Sequence, residues 1–332
     1  MYFDQSLPIR KLSLHDLLNC YRDMVRIRHF ECVAEEAAAA GHIRGMIHSA
    51  VGQEAVAVGV CLNLRNTDLI ASTHRNHHHA LAKGVPADAA MAELLGRTSG
   101  SCGGKGGSMH IADLSVGMLG ANGVVGASVA IAAGAAQALR FQHSDAIAIA
   151  FVGDGAMNRG QTLEAMNYAA IYALPLLIVC EDNGWAATTR ASIVTAGPGA
   201  ISRAEALGLK ASTADGNDVE AVASVTEEII RGLRAGCGPC FLYCRTYRVR
   251  GHTCADPAKY RAPAEHEAWL AEDPIPRCRL RLEELGIGHA ELDAIHASER
   301  AEMDAALERA LASALPERSS AFFDIQTAGA AL

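Results

Sequence analysis

The stretch "IAIAFVGDGAMNRG" (residues 147–160) is an apolar run that ends in Gly153-Asp154-Gly155 and passes into a segment of helical composition. The apolar part reads as a strand and the part after the glycines as a helix. Glycines between a strand and a helix usually let a phosphate approach the backbone N–H groups of the helix N-terminus. Here an anion, Asp154, stands between the two glycines. Taken alone, Asp154 also reads as a helix N-cap.

The next strand resolves the contradiction. "LPLLIVC" runs into "EDNGWA" (residues 181–186), and if the two strands are neighbours Asn183 sits beside Asp154. A hard divalent cation takes oxygen ligands in octahedral geometry. The Asp154 carboxylate, the Asn183 side-chain oxygen and a backbone carbonyl just beyond supply half of that shell. A diphosphate supplies two further oxygens and a water the last. The carboxylate then draws the phosphate in through the metal.

Outward from these strands, the chain reads as helices, then alternating strands and helices, then helices. Helices are expected over 13–41, 51–64, 87–96, 127–141, 160–173, 201–207 and 217–235, and strands over 68–73, 146–152, 175–181, 209–213 and 240–249. A glycine-rich stretch, 100–126, reads as a long loop, and a charged helical tail begins at about 264, punctuated by "DPIPR" (273–277). Strands separated by helices of this length indicate an α/β fold: a parallel sheet with helices on both faces, here with helical N- and C-terminal segments. No internal repeat or Pro/Gly/Ser-rich linker divides the chain, so one domain over 1–332 is expected. In such a sheet ligands gather at the carboxyl ends of the strands, which brings the loops after 73, 152, 181 and 249 together.

Composition narrows the function. The 332 residues carry a net charge of −8 and are 50% hydrophobic. That balance suits a large buried core and argues against nucleic acid as a partner. The N-terminal "MYFDQSLPIRKLSLHDLL" lacks an apolar core after a basic start, so no secretory signal is expected. The longest near-continuous apolar run, 127–139, is too short to span a bilayer and reads as a buried helix. Ten scattered cysteines point to reduced thiols and a cytoplasmic protein. "CGPC" (237–240) has thioredoxin-type spacing, but "FLYCRTYRV" after it reads as a strand rather than the helix that lowers such a thiol's pKa. The glycine loops fail the common nucleotide patterns: "SCGGKGGS" lacks the first glycine and the Ser/Thr after lysine of a Walker motif, and "GDGAMNRG" is not G-x-G-x-x-G. "HRNHHH" (74–79) reads either as a metal cluster, with His74 and His78 at i, i+4, or as a solvated helix start; no carboxylate or cysteine accompanies it in sequence. His78 and His79 read as wall residues.

"GDG" followed after 26 residues by "DN" resembles the thiamine-diphosphate fingerprint. "GQEAVAVGV" (52–60), "GKGGSMHIAD" (104–113), "GANGVVGA" (120–127), "TLEAMNYAAIYALP" (162–175) and "RTYRVRGHTCADP" (245–257) are similar, in order and spacing, to alpha subunits of 2-oxoacid and acetoin dehydrogenases over about residues 20–280. "STHRNHH" (72–78) with "GSMHIADLSVGMLGANG" (107–123) leans to the acetoin branch.

The resemblance implies a thiamine-diphosphate-binding fold and a set of roles. Asp154, Asn183 and the backbone oxygen of Trp185 would bind Mg2+. The Gly155 and Ala156 amides would hold the diphosphate. His74 and Arg75 would face its phosphates, Arg75 with a planar fork matched to them. Gly123 and Val125 would lie along the cofactor rings. His252 would reach the reaction centre, with His77 and His110 lining the same funnel; His252, His77 and His110 are the catalytic candidates. Two positions depart from the pattern: Asp182 replaces the first Asn of a pair, and Arg159 stands where Gln is common.

The resemblance further implies a dehydrogenase that cleaves acetoin, or decarboxylates pyruvate or a branched-chain 2-oxoacid, and passes the fragment to a lipoyl group of a partner acyltransferase. The activating glutamate is expected on a separate beta subunit in an alpha2-beta2 heterotetramer. No nucleic acid or membrane partner is expected. The apolar residues Met109, Ile111, Met118, Leu119, Val124 and Val125 of the glycine stretch would form the subunit contact. The alternative of another class is a non-catalytic cofactor-binding homologue, against which the joint presence of Asp154, Asn183, Arg75 and His252 argues.

Overall fold

The computed structural model describes residues 11–322. Part of the N-terminal stretch on which the secretion expectation rests lies outside the described residues. In chain order the elements are α1 (Leu14–Ala39), α2 (Glu54–Cys61), β1 (Leu69–Ser72), α3 (His77–Lys83), α4 (Ala87–Leu94), β2 (Met118–Ala121), α5 (Ala127–Phe141), β3 (Ala148–Gly153), α6 (Gly160–Ile171) and β4 (Leu176–Asp182). There follow β5 (Trp185–Ala186), β6 (Thr189–Arg190), α7 (Ala191–Val194), α8 (Ala200–Ala206), β7 (Lys210–Asp215), α9 (Val219–Arg234), β8 (Cys240–Arg245), α10 (Pro263–Leu270), α11 (Pro274–Glu284) and α12 (His289–Ala312).

Local chemistry sets several boundaries. The Ser13 hydroxyl accepts from the Asp16 N–H at the start of α1, Asp218 accepts from the N–H groups of Glu220 and Ala221 at the start of α9, and Asp273 caps α11 ahead of Pro274.

Six strands pair in the order β2-β1-β3-β4-β8-β7, every pair parallel. Alternation along each strand divides the core between two faces. Ile149, Phe151, Leu177, Val179 and Leu242 pack with Val33 of α1, Val56 of α2, Met91 of α4, Val222 of α9 and Met303 of α12. Ala150, Val152, Leu176, Ile178 and Phe241 pack with Val129 and Ala132 of α5, Met166 of α6 and Ala204 of α8. This is the expected α/β architecture with helices on both faces. Among the described residues no helix is long and apolar enough to cross a membrane.

Four readings need correction. The expected strand 240–249 ends at Arg245: the Thr246 N–H still bonds to Asp182 O of β4, but the chain then leaves the sheet, and the Val249 N–H bonds to Val51 O. The glycine stretch is not a plain loop but contains β2, a four-residue edge strand held by β1 on one side and by backbone hydrogen bonds to Ile111 and Asp113 on the other. Ile111 and Met118 of that stretch are buried in the chain's own core, so they cannot form a subunit contact; Leu114, Val124 and Val125 are the exposed ones. Helix α5 buries one side only, with Val129, Ala132 and Leu139 inside and Ile131 outside. "CGPC" is a turn before β8, as its composition indicates, and burial pushes the Cys240 thiol up to about 12.

Candidate active site

The carboxyl ends of β1, β3, β4 and the chain beyond β8 converge on a cavity of about 310 Å³. His74 and Arg75 reach it from the β1 loop, Asp154, Gly155 and Ala156 from the β3 loop, Asn183 and Trp185 from the β4 loop, and Arg248 and His252 from the chain after β8. Val125 also lines it. Gly123, His77 and His110 do not, although Asn122 and Val124 on either side of Gly123 do.

The floor is built by β3 and β4. Their register pairs Gly153 with Glu181, so Asp154 and Asp182 follow side by side, and Asn183 comes next. Asp154 is buried and its Oδ2 has no hydrogen-bond partner. Burial, reinforced by the neighbouring Asp182, raises its pKa to about 7. A buried acid oxygen left unpaired in this way lacks a partner that an ion or an ordered water can supply. Asn183 donates from Nδ2 to Gln53 Oε1 at 3.0 Å and accepts the Trp185 N–H at 3.1 Å, which fixes the direction of its Oδ1. Asp182 is held away from the cavity side, accepting from Gly184 N and from the Tyr243 hydroxyl. Gly155 has to be glycine because a Cβ there would lie 2.9 Å from Ala186 Cβ. The donor set is therefore a lone carboxylate oxygen, an oriented amide oxygen and exposed backbone, which fits a hard cation and a diphosphate.

The opposite wall is cationic and imidazole-rich. The rings of His48, His74 and His252 stand edge to face, with centroids 4.9 and 5.0 Å apart for His48–His74 and His48–His252. Burial, then the Arg75 charge, lowers the pKa of His48 and His252 to about 4 and of His74 to about 3, so all three are neutral at pH 7. Arg75 is buried and donates to Ser49 O at 2.9 Å, to His252 O at 2.7 Å and to His252 Nδ1 at 3.0 Å. Burial, with the nearby Arg248, lowers the Arg75 pKa to about 9. Because Arg75 can only donate, His252 Nδ1 must accept, and the neutral ring carries its proton on Nε2.

The histidine run is not solvated. Helix α3 starts at His77, so His74 lies outside it and the i, i+4 metal pairing with His78 does not form. His77 is fully buried between Glu31 Oε2, 3.0 Å from Nδ1, and Ser108 Oγ, 2.9 Å from Nε2. His78 and His79 lie against Glu181. Two carboxylates thus accompany the run in space, each supplied by a distant element. His110 is exposed beside Gly123, its Nε2 3.7 Å from where a Gly123 Cβ would stand.

Gln53, His48, Arg248 and Glu93 escaped the sequence reading. Arg248 is almost wholly buried and donates to Ala187 O and the Tyr260 hydroxyl. Glu93, fully buried, accepts four backbone N–H groups of the glycine loop: Cys102 and Gly104 on Oε2, Gly106 and Gly107 on Oε1. A loop whose amides converge in this way forms an anion nest. Here the anion is the chain's own carboxylate, so these four amides are already taken. Gly104 has φ +76°, and a Cβ there would lie 2.5 Å from Gly96 C. Quoted with the loop, a glutamate eleven residues before Gly104 was the available signal.

The family described as "Dehydrogenase E1 component" matches residues 22–319. The chain is 45% identical over 260 residues, 78% of its length and 77% of the relative's, to the alpha subunit of acetoin:2,6-dichlorophenolindophenol oxidoreductase from Cupriavidus necator. It is 43% identical over 252 residues, 76% of each chain, to the protein of the same description from Bacillus subtilis. To the pyruvate dehydrogenase E1 component subunit alpha of Rhizobium meliloti it is 40% identical over 279 residues, 84% of this chain and 80% of that one.

Proposed function

The chain belongs to the dehydrogenase E1 component family, and we propose that it is the alpha subunit of a thiamine-diphosphate-dependent dehydrogenase whose substrate is acetoin. The observation that carries the reading is the buried, unpartnered Asp154 Oδ2 beside the oriented Asn183 at the floor of the cavity. A Mg2+ ion is the partner this oxygen lacks. Asp154, Asn183 Oδ1 and the backbone oxygen of Trp185 would hold it, and the Gly155 and Ala156 N–H groups would take the diphosphate. When bound, thiamine diphosphate supplies the carbon–carbon bond-breaking chemistry.

The chain's own residues then do the rest. Arg75 positions His252 as an Nε2–H donor, and a neutral imidazole can both stabilise a developing alkoxide and return a proton. His74 is neutral and adjacent, so it can share that work. Arg248 and Arg75 place positive charge at the same wall, which suits an anionic cofactor. Val125 offers an apolar surface to the cofactor rings. His77 and His110 lie outside the cavity wall, and no catalytic part is assigned to them.

The relatives named as alpha subunits support a separate beta subunit; an alpha2-beta2 assembly that hands its two-carbon fragment to a lipoyl-bearing acyltransferase is part of the same proposal. The exposed Val124 and Val125 at the cavity rim suit coverage by that partner. The identity to acetoin-oxidising relatives favours acetoin; pyruvate is the competing substrate, by likeness to pyruvate dehydrogenase alpha subunits.

The test is dye-coupled oxidation of acetoin and of pyruvate, with Mg2+ and thiamine diphosphate, by the purified chain alone and with the protein encoded beside it. Turnover of acetoin only in the pair is expected. Preference for pyruvate would replace the substrate, and full turnover by the isolated chain would overturn the two-subunit reading.

A further inference from the structure

Behind the cavity lies a second cluster of ligand-type side chains that the proposed reaction does not use. His78 and His79, in the first turn of α3, meet Glu181 at the end of β4, and all three side chains are buried. We propose that His78, His79 and Glu181 form a binding site for a borderline transition-metal ion such as Zn2+.

The three side chains lie close enough to share one ion. His78 Nε2 lies 3.0 Å and His79 Nε2 3.3 Å from Glu181 Oε1, and the three ligand atoms all fall within 4.8 Å of one another. In a tetrahedral ion with bonds of about 2.0–2.2 Å, ligand atoms are separated by roughly 3.3 Å. Little movement is needed to admit the ion.

A further observation points to a missing partner. His79 Nε2, one of the proposed ligand atoms, is buried and makes no hydrogen bond. Buried polar atoms in proteins are nearly always satisfied, by a protein group, an ordered water or an ion. The other nitrogen of His79 is already taken by Ser72 Oγ at 2.8 Å, the arrangement by which an outer hydrogen bond orients a ligating histidine. The His79 ring is also stacked on Phe151, with centroids 3.7 Å apart and planes 23° from parallel. The ligand is therefore oriented before any ion arrives.

The donor chemistry separates this site from the one at Asp154. Two imidazoles and a carboxylate suit zinc, cobalt or iron, whereas Mg2+ takes oxygen. Access runs through the cavity, since Glu181 and Ser72 both line it, and a water on that side completes four ligands. The ion would tie α3 to β4 directly beneath the Asp154–Asn183 floor.

The test uses Co2+ on the full chain, stripped with chelator and held in Mg2+. One equivalent of Co2+ should bind with the intense visible absorption of a four-coordinate ion. His78→Asn and His79→Asn should each weaken that binding at least tenfold, while Asp154→Asn leaves it in place. Independently, Zn2+ should raise the thermal midpoint of the wild-type chain, and chelator should reverse the rise, a readout that does not depend on any variant folding. Absence of uptake and of a midpoint shift in the wild type would mean that buried water satisfies His79 Nε2. The same Co2+ spectrum in wild type and both histidine variants would place the ion elsewhere. Either result overturns the site.

Discussion

Asp182 follows Glu181, the register partner of Gly153, so its carboxylate comes up beside that of Asp154 and, added to burial, holds the Asp154 carboxyl protonated up to about pH 7. Two acidic side chains at adjoining strand ends are tolerable only because Asp182 is turned aside, toward the Tyr243 hydroxyl and the Gly184 N–H. That difference in orientation predicts opposite behaviour for the two carboxylates. Asp154→Asn should weaken Mg2+-dependent thiamine diphosphate binding by roughly 10–100-fold, the scale of about 1.4–2.8 kcal/mol for a lost charged ligand. Asn183→Ala should do likewise. Asp182→Asn should leave binding unchanged or slightly tighter, since an amide can keep both hydrogen bonds while removing the charge. Calorimetric titration of the three variants decides it, and wild-type affinity in Asp154→Asn would end the metal-bridge argument.

His252→Ala separates binding from chemistry. Arg75 would keep its bond to the backbone oxygen of residue 252 and to Ser49 O, so the phosphate-facing wall stays in place. Cofactor affinity should stay within about tenfold while turnover falls roughly 100-fold or more, the scale of a lost general acid–base group. Steady-state kinetics with the partner subunit present, set against a cofactor titration, gives both numbers. Equal turnover by variant and wild type would make His252 a loop residue.

These two positions were legible in the sequence for a physical reason. Asp154 and Asn183 are separated by one strand–helix–strand unit, and a right-handed parallel crossover puts the ends of such strands side by side. His48, Gln53, Arg248 and Glu93 were not legible, because each acquires its role only from partners far along the chain. Gln53 meets Asn183 across 130 residues. The acidic partners of the histidine run, Glu31 and Glu181, were missed for the same reason: they come from α1 and β4, 46 and 103 residues away. Strand β2 was hidden in glycines, since "MLGA" carries no period and owes its conformation to its pairing with β1 and with Asp113. Local pattern found the frame; long-range pairing decided what is buried.

Acid should destabilise the chain well before ordinary carboxylates titrate. Burial, joined by Arg75, holds His48 and His252 at about 4 and His74 at about 3, and burial with His78 holds His79 at about 4. In the unfolded chain these groups return to about 6.5. Over that interval the unfolded state binds more protons, so the stability they contribute is fully present above about 6.5 and is lost as pH falls toward 4. Asp154, with its raised value, works in the opposite sense between about 7 and 3.8, but as one group against four. Urea midpoints of the chain without metal should therefore drop steadily from pH 7 to pH 5, and more steeply in Asp154→Asn. Equal midpoints at the two pH values would mean that the imidazoles are not held neutral by the fold.

The last expectation concerns Glu93, which touches no part of the cavity but shapes the loop that leads to it. Its two oxygens take two backbone N–H groups each, at 2.7–3.0 Å, and all four donors belong to residues 102–107. Glu93→Gln keeps the volume but turns one oxygen into an N–H2 group that points at two N–H donors. Two buried amides then lose their acceptor, and the remaining bonds lose their charge. The cost should be about 3 kcal/mol or more, because each unsatisfied buried donor costs about 1–3 kcal/mol. The damage should concentrate in the loop, with protease cleavage appearing between residues 100 and 107 before the sheet unfolds. A chaotrope titration read beside limited proteolysis tests this. If Glu93→Gln matched the wild type in both, the glycines alone would be holding the loop, and the carboxylate would be a passenger in a nest that folds without it.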